Sequence, residues 1–118
     1  MPQYMLLLYD NPANWQNLGP SEIQNAIEKY VAWGNRLRQQ GVFKASHKLA
    51  DDVGKVIRGR SRQSRVTDGP YSETKEVLGG YYLIEAPSYD NAIDQCRDCP
   101  HLEYGGTIEV RQVDAITP

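Results

Sequence analysis

The 118-residue sequence predicts one α+β domain, residues 1–118, in which an antiparallel sheet carries two helices on one of its faces. Three observations favour this class. Two segments, within residues 21–40 and 88–99, repeat apolar side chains at the spacing of an amphipathic helix. Strand-length segments precede, separate and follow them. No internal repeat or linker divides the chain.

The first strand is predicted at residues 4–10, and residues 11–19 are predicted to form a loop because they are rich in Asn, Pro and Gly. Ser21 is the expected N-cap of the first helix, with Gln24 completing a capping box. Gly41 is the expected C′ residue. The predicted apolar stripe is Ile23, Ala26, Ile27, Tyr30, Gly34 and Leu37.

The middle of the chain predicts a meander of short antiparallel strands. In "VFKASHKLA" the side chains of Phe43, Ala45, His47 and Leu49 are expected on one face. "GKVIRG" and "SRQSRVTD" read as two further strands, and residues 77–86 as another. Gly79 and Gly80 predict a bulge or a close approach of two backbones.

A second helix is predicted after Ser88, its N-cap, and Pro100 is expected to end it. Its apolar stripe is Tyr89, Ala92, Ile93, Cys96 and Cys99. "TIEVRQV" is the closing strand. The element order therefore approaches the split β-α-β pattern of ferredoxin-like domains. Both helices then lie on one sheet face, and a second copy of the sheet is the simplest cover for the other, so a homodimer is expected.

Several segments together resemble the YciI-related family, in its DGPF-domain branch. They are "TDGPYSETKEVLGGYYLIEAPS", "CPHLEYGGTIEVRQV", "YMLLLYD" and "SHKLADD", and they cover nearly the whole chain. The resemblance implies a ferredoxin-like fold that pairs into a dimeric α+β barrel. Relatives with that barrel include muconolactone isomerases and small monooxygenases. The resemblance also implies that members of the branch are often neighbours of extracytoplasmic-function sigma factors, which suggests regulation.

The resemblance does not carry over a catalytic pair. In the plain YciI branch a His and an Asp near the first helix and its end are suspected of catalysis. Tyr30 and the "RQQG" end of the helix occupy those places here, so the pair is absent.

Composition excludes several function classes. The formal net charge of −2 argues against direct nucleic-acid binding, which rests on Lys and Arg neutralising phosphates. No apolar run approaches the roughly 20 residues of a membrane span, and no signal-peptide layout is present. Two cysteines cannot make a disulfide framework. A reduced, cytoplasmic protein with no membrane partner is expected.

Cys96 and Cys99 form a C-x-x-C, but their predicted place in the last turn of a helix disfavours thiolates. A zinc site would need both cysteines, His101 and His47 to converge. We expect core residues, no metal and no cofactor.

The two histidines are the candidate general acids or bases. His47 lies on the apolar side of its strand, where a hydrogen-bonded core role is the simpler interpretation. His101 follows Pro100 and is expected in a loop. A basic run, Lys55, Arg58, Arg60, Arg62 and Arg65, is either a solvated hairpin rim or a funnel toward an anionic small molecule or partner.

Alternation in the last strand places Thr107, Glu109 and Arg111 on one face and Ile108 and Val110 on the other. If the apolar pair faces the helices, Glu109 and Arg111 face the barrel, where a ligand would lie. Tyr81 belongs to a similar mixed face. Salt bridges across the dimer interface are the alternative role for the two charged side chains.

The turn "DGPYSETKE" carries more charge than a turn requires. Asp68 before Gly-Pro is ordinary turn chemistry, because its side chain can accept hydrogen bonds from nearby backbone N–H groups. Glu73, Lys75 and Glu76 are not needed for that turn. They predict either a clasp on the partner subunit or the lip of a ligand pocket.

Two functional hypotheses follow. In the first, a cleft of the homodimer binds a small anionic or polar metabolite, His47 or His101 moves a proton, and Arg111 holds developing negative charge. In the second, the cleft or the surface belongs to a non-catalytic ligand-binding or regulatory module, linked to sigma-factor-controlled transcription. No triad, metal cluster or phosphate loop in the sequence decides between them.

Overall fold

The computed structural model of the protein describes residues 1–52, 54–69 and 76–116. In chain order the strands are β1 (Gln3–Asp10), β2 (Phe43–Lys48), β3 (Lys55–Arg58), β4 (Arg65–Asp68), β5 (Val77–Glu85) and β6 (Thr107–Gln112). The helices are α1 (Ala13–Gln16), α2 (Pro20–Gln39), α3 (Tyr89–Cys96) and α4 (Pro100–Glu103). None of these described helices is both long and apolar enough to span a bilayer.

The main sheet has the order β2-β5-β1-β6, and every neighbouring pair in it is antiparallel. Helix α2 follows β1, and α3 follows β5, so two β-α units interleave as in ferredoxin-like domains. The predicted α+β class is confirmed.

Strand β1 divides the sheet into a helix-covered face and an open face. Tyr4, Leu6 and Leu8 are buried and belong to the hydrophobic core, whereas the residues between them are half-buried. Ile108 and Val110 of β6 pack against the same core, as the alternation of β6 predicts. We call the opposite surface the open face. It carries Met5, Leu7, Tyr9, Ala45, His47, Tyr81, Leu83, Thr107, Glu109 and Arg111.

Helix α2 begins two residues earlier than the predicted capping box places it. Gly19 is the N-cap and Pro20 takes the first helical position, so the predicted capping by Ser21 and Gln24 is wrong. Pro20 suits that position because its fixed φ matches the helix and its missing N–H is not needed there. The predicted end is confirmed. The N–H of Gly41 bonds to the Arg38 carbonyl and the N–H of Val42 to the Leu37 carbonyl, which is a Schellman motif.

The apolar stripe of α2 is only partly the predicted one. Ala26, Gly34 and Leu37 are buried, but Ile27 is 49% exposed and Ile23 is also exposed. Trp33, absent from the prediction, is buried and meets the Tyr82 ring edge-on. The stripe is rotated because this large aromatic side chain fills the space above β5.

Edge strand β2 contains a bulge that the sequence pattern did not reveal. Its register to β5 shifts between Phe43 and Ala45, so Phe43 packs against the core while Ala45 and His47 face the open side. The prediction of Phe43 and His47 on one face is therefore wrong. The extra residue inverts the alternation.

Strands β3 and β4 pair only with each other, in register from Lys55–Asp68 to Arg58–Arg65. The predicted single meander is wrong, because these two strands, which lie between β2 and β5 along the chain, form a sheet of their own. We call residues 54–69 the hairpin.

Ser88 caps α3 as predicted, since its hydroxyl accepts a hydrogen bond from the Asn91 N–H at 3.1 Å. The helix ends earlier than predicted, at Cys96, and Pro100 begins α4 with Cys99 as its N-cap. Both thiols are buried in the core. Burial raises the pKa of Cys96 to about 11 and that of Cys99 to about 12. For Cys99 burial outweighs the backbone N–H of His101, which lowers the pKa of the thiol.

We expect Gly80→Ala to lower the free energy of unfolding by about 1–3 kcal/mol. A Cβ on Gly80 would lie 2.9 Å from the backbone oxygen of His47, so β2 would have to move away from β5. Gly79→Ala is the matched control, because its Cβ would lie 3.5 Å from the Asp10 carboxylate, an ordinary contact. Urea unfolding measures both, and equal losses would contradict the close approach at Gly80.

The buried thiols predict a pH dependence of stability. Their folded pKa values lie above the ordinary value of 9.0, so between pH 9 and about 11 the folded state keeps protons that the unfolded state loses. The free energy of unfolding should therefore fall as pH rises, by up to about 1.4 kcal/mol per pH unit for each thiol. In reducing buffer, Cys96→Ala and Cys99→Ala should each have a shallower slope in urea unfolding than the unmodified protein. An unchanged slope in both variants would contradict the assignment.

Candidate functional site

One row of side chains crosses all four strands of the open face. His47 on β2 pairs with Tyr81 on β5, Tyr81 pairs with Leu7 on β1, and Leu7 pairs with Glu109 on β6. Paired residues in an antiparallel sheet point to the same face. At about 4.8 Å between strands, Tyr81 and Glu109 are about 10 Å apart with Leu7 between them. The row thus has polar ends and an apolar centre.

A hydrogen-bonded trio lies at the β6 end of this row. The Tyr9 hydroxyl donates to Glu109 Oε1 at 3.1 Å, and Arg111 Nη1 lies 3.4 Å from Glu109 Oε2. The bond to Glu109 is the main cause that raises the pKa of Tyr9, so its phenol stays protonated near neutral pH. The guanidinium of Arg111 is 67% exposed and uses one nitrogen for the carboxylate, which leaves most of its donor fork open to solvent.

A second pair lies at the β2 end. His47 Nδ1 and the Tyr81 hydroxyl are 2.7 Å apart, and their rings are in contact. Among the residues that the structure describes, His47 Nε2 has no hydrogen-bond partner. This exposed nitrogen can therefore meet a ligand above the sheet.

His101 lies elsewhere, beneath the helix layer. It is buried within α4 and not in a loop, so the predicted location is wrong. Its Nε2 donates to the Tyr9 backbone carbonyl at 2.6 Å, and Nδ1 lies 2.8 Å from the Tyr30 hydroxyl. A neutral ring with its hydrogen on Nε2 satisfies both contacts, with Tyr30 donating. Burial raises the pKa of Tyr30, which favours that protonated donor.

The His101 contact lies at an irregularity of β1. The register to β5 shifts between Leu8 and Tyr9, opposite Gly79, which confirms the predicted bulge. A bulge redirects the side chain beside it. Gly106 packs so closely that a Cβ there would lie 2.2 Å from His101 Nε2. His101 and Gly106 therefore fix the backbone from which Tyr9 reaches Glu109.

The remaining predicted site residues are not in this cluster. Asp68 ends β4, and its carboxylate is ion-paired with Lys55 within the hairpin. Glu73 and Lys75 lie outside the described residues. Glu76, the last acid of the same turn, accepts a hydrogen bond from Thr107 Oγ1 at 2.7 Å, so the end of that turn does reach the open face.

The structure thus brings His47, Tyr81, Glu109 and Arg111 onto one face and separates them from His101 and Asp68. Tyr9 is a residue of this site that was not predicted from the sequence. Its signal was the alternation of Met5, Leu7 and Tyr9 along β1, which places these side chains opposite Tyr4, Leu6 and Leu8.

The helix side contains a separate open groove of about 650 Å³ between α2 and the segment from α3 to α4. Arg36 bridges it to Asp98 and, as the main cause, lowers the pKa of that carboxyl. The indole N–H of Trp33 lies near the same carboxylate and lowers its pKa further, although it is outside hydrogen-bond geometry. We place the candidate site on the open face, because Arg111 keeps most of its donors and His47 keeps Nε2 open to solvent there, whereas the groove carries no histidine.

Metal ligands do not assemble in residues 1–52, 54–69 and 76–116, where no three His, Cys, Asp or Glu side chains are grouped to hold an ion. His47 faces the open side, whereas Cys96, Cys99 and His101 belong to the core.

Among the known proteins that are similar to the chain are one solved structure and one sequence relative. The fold matches the solved structure of 5-chloro-2-hydroxyhydroquinone dehydrochlorinase (TftG) from Burkholderia phenoliruptrix AC1100, in complex with 2,5-dihydroxybenzoquinone, with a TM-score of 0.53 and 16% identity over 95% of this chain and 93% of that one. In sequence, the chain is 40% identical over 64 residues to Uncharacterized protein R00369 of Rhizobium meliloti (strain 1021). That match spans about half of each protein, 53% of this chain and 52% of the relative.

The family assignment rests on a longer match. The model of the YCII-related domain matches residues 2–117, from the start of β1 to beyond β6. It includes every strand that supplies the open-face cluster, and it agrees with the family that the motifs resemble. The chain belongs to the YCII-related domain family.

Proposed function

We propose that the open face binds a small anionic or polar molecule in a cleft formed with a second copy of the chain, and that His47 transfers a proton there. The observation that carries this proposal is the row across four strands of a face without helices, which has polar side chains at both ends and Leu7 between them. One chain leaves this face half-buried, and the same face of a second copy would enclose it. The resulting homodimer is the dimeric α+β barrel that the family resemblance implies.

His47 can act as either acid or base in this cleft. If the Tyr81 hydroxyl donates to Nδ1, the hydrogen of a neutral ring is on Nε2, which then donates to the ligand. If Nδ1 carries the hydrogen, it donates to Tyr81, and Nε2 presents a lone pair that accepts a proton. The ring passes between these tautomers by losing a proton at one nitrogen to solvent or ligand and gaining one at the other. The Tyr81 hydroxyl can donate or accept and so serves both states, which makes Tyr81 the positioning residue of His47.

Arg111 and Glu109 form the other end of the proposed site. The open donors of Arg111 would hold a carboxylate or phenolate, and the charge of Arg111 would stabilise negative charge that develops on the ligand. Glu109 orients that guanidinium, while Tyr9 holds Glu109. Leu7 supplies an apolar surface for the body of the ligand.

A small cyclic ligand is consistent with the similar solved structure, in which an enzyme of this fold holds 2,5-dihydroxybenzoquinone. At 16% identity that likeness supports the fold alone, so the ligand class for this chain rests on Arg111, His47 and Leu7.

His101 has a different role in this proposal. Its catalytic role stays a prediction, and its two satisfied nitrogens favour a structural one. By holding the Tyr9 carbonyl it would keep Tyr9 directed at Glu109. The ligand contacts predicted for Asp68, Glu73 and Lys75 also stay predictions. They would belong to a lip of the cleft that begins at Glu76.

A non-catalytic ligand-binding or regulatory module is the second candidate. The observation that favours it is that hydrogen bonds within the open face already hold Glu109, Arg111 and His47 in place. A binding protein needs only that arrangement and the guanidinium, without proton transfer. Both roles predict weaker binding when His47 is replaced, so binding alone does not separate them. The measurement that does is turnover, because an enzyme converts a bound compound to product and a binding module does not.

We expect Arg111→Met to abolish the response to anions while leaving a homodimer. A panel of small carboxylates and phenols is screened for thermal stabilisation of the protein, and the oligomeric state is measured by light scattering. The variant should bind the best compound about 10- to 100-fold more weakly, the range for a lost charged hydrogen bond. Arg97→Met is the matched control, since Arg97 pairs with Asp94 on the helix side.

The outcomes are distinct. Dissociation of Arg111→Met into 13.4 kDa monomers would show that Arg111 makes an interface salt bridge. An equal loss of binding in Arg97→Met, or an unmodified protein that no compound stabilises, would contradict the anion site.

A double-mutant cycle tests the coupling of His47 and Tyr81. We expect Tyr81→Phe and His47→Gln each to weaken binding of the best compound by about 2- to 10-fold, the value of one net hydrogen bond. The double variant should lose less than the product of the two, because the side chains act through one hydrogen bond. Binding is measured by titration calorimetry. Strictly multiplicative losses would contradict the coupling.

A further inference from the structure

The hairpin stands apart from the rest of the fold. Among the described elements, β3 and β4 pack chiefly against each other. A hairpin of two strands is marginal in water without further packing. The radius of gyration, 16.2 Å, exceeds the roughly 13.5 Å of a compact domain of this length, which is consistent with a projecting segment.

One face of the hairpin is apolar and uncovered. Ile57 and Val66 are cross-strand partners, and they are 66% and 61% exposed. Lys55 and Asp68 pair on the same face at its base. Adjacent β-branched side chains on a strand pair normally pack against a further layer. Within the part of the chain that the structure describes, no element supplies that layer.

The net charges of the hairpin and of the rest of the chain indicate which surface would cover Ile57 and Val66. Residues 54–69 contain five basic and one acidic side chain, a net charge of +4. The chain as a whole has 13 basic and 15 acidic side chains, so the remainder has eight and 14, a net charge of −6. Two hairpins would therefore repel each other, whereas a hairpin and the body of a second copy attract.

The origin of the hairpin indicates which part of the body is within reach. It joins the end of β2 to the start of β5, at the sheet end where Glu76 meets Thr107. Glu109 is one row further along β6 and is also on the open face. Glu109 already pairs with Arg111, whereas Glu76 has no ion pair among the described residues, so Glu76 is the acid available at this end of the face, and it adjoins the proposed ligand site.

We propose that the hairpin is an exchanged arm: it crosses to the second copy, places Ile57 and Val66 against that copy, and brings its tip arginines, Arg60 and Arg62, toward Glu76 of the open face of that copy. The arm would close the sheet end of the cleft with positive charge, so each ligand site is completed by the other chain. This inference rests on the proposed pairing of open faces.

Cross-linking between two distinguishable chains tests the exchange. One chain carries Arg62→Cys, the other carries Glu76→Cys and an isotope label, and a short bifunctional thiol reagent joins cysteines that lie close. The buried Cys96 and Cys99 should not compete. We expect cross-links between the chains. Arg97→Cys replaces Glu76→Cys as the control and should give none.

The other outcomes separate this inference from the proposed function. A stable dimer without cross-links between chains would overturn the arm alone. A chain carrying both cysteines that cross-links only to itself would show that the hairpin folds back on its own sheet, and would overturn the arm as well. A monomer by light scattering would overturn the paired faces and the arm together.

A charge-reversal cycle gives an independent readout. We expect Arg60→Glu with Arg62→Glu to weaken dimerisation by about tenfold at low salt, as for two rim ion pairs, and much less at 1 M salt. Adding Glu76→Lys should restore part of the loss. Sedimentation measures the dissociation constant. A loss that is independent of salt, or no restoration, would contradict charge contacts between arm and face.

Discussion

The alternation of β1 is the constraint on which the rest of the structure depends. This strand is central, pairs with both β5 and β6, and sends Tyr4, Leu6 and Leu8 to the helices. A slip of one residue would exchange its two faces and bury Tyr9 beneath the helices. Because these three side chains must meet the core, the register of β1 is fixed. The same register sets the row in which His47 and Glu109 lie on one face. The candidate site is thus a consequence of core packing.

The core also reaches the site through His101. A buried ring that donates to the Tyr9 carbonyl links the helix layer to the one irregular position of β1. The register shift beside Tyr9 disrupts the ladder to β5, and a buried carbonyl needs a hydrogen-bond donor. His101 supplies it and Tyr30 holds the ring from behind. The open face therefore depends on a residue that does not touch it, and a histidine that sequence patterns nominate for chemistry can act by positioning.

Local signals predicted the parts of the fold that local chemistry determines. The Ser88 cap, the Gly41 terminus and the face of Glu109 and Arg111 follow from side-chain hydrogen bonding, φ preference and alternation, and all are found. The failures need distant information. Whether α2 buries Ile27 or Trp33 depends on the space above β5. The pattern of β3 and β4 along the chain fits a single meander and a separate hairpin equally well, so their pairing had to come from the structure. The inverted alternation of β2 comes from one extra residue opposite β5, which no pattern within β2 reveals. The face of Tyr9 was predictable by alternation, but its hydrogen bond to Glu109, 100 residues later in the chain, was not.

The electrostatics of the open face change with its surroundings. In a single chain Arg111 and Glu109 are 67% and 41% exposed at their side chains, and water compensates a contact as long as 3.4 Å. If a second sheet covers the face, that water is lost. The desolvation cost of the pair then rises, and one long contact is too weak to offset it. The unused donors of Arg111 and the exposed nitrogen of His47 then become the costliest groups in the cleft. An anion that accepts from both removes that cost, so ligand binding and pairing of the two faces would stabilise each other.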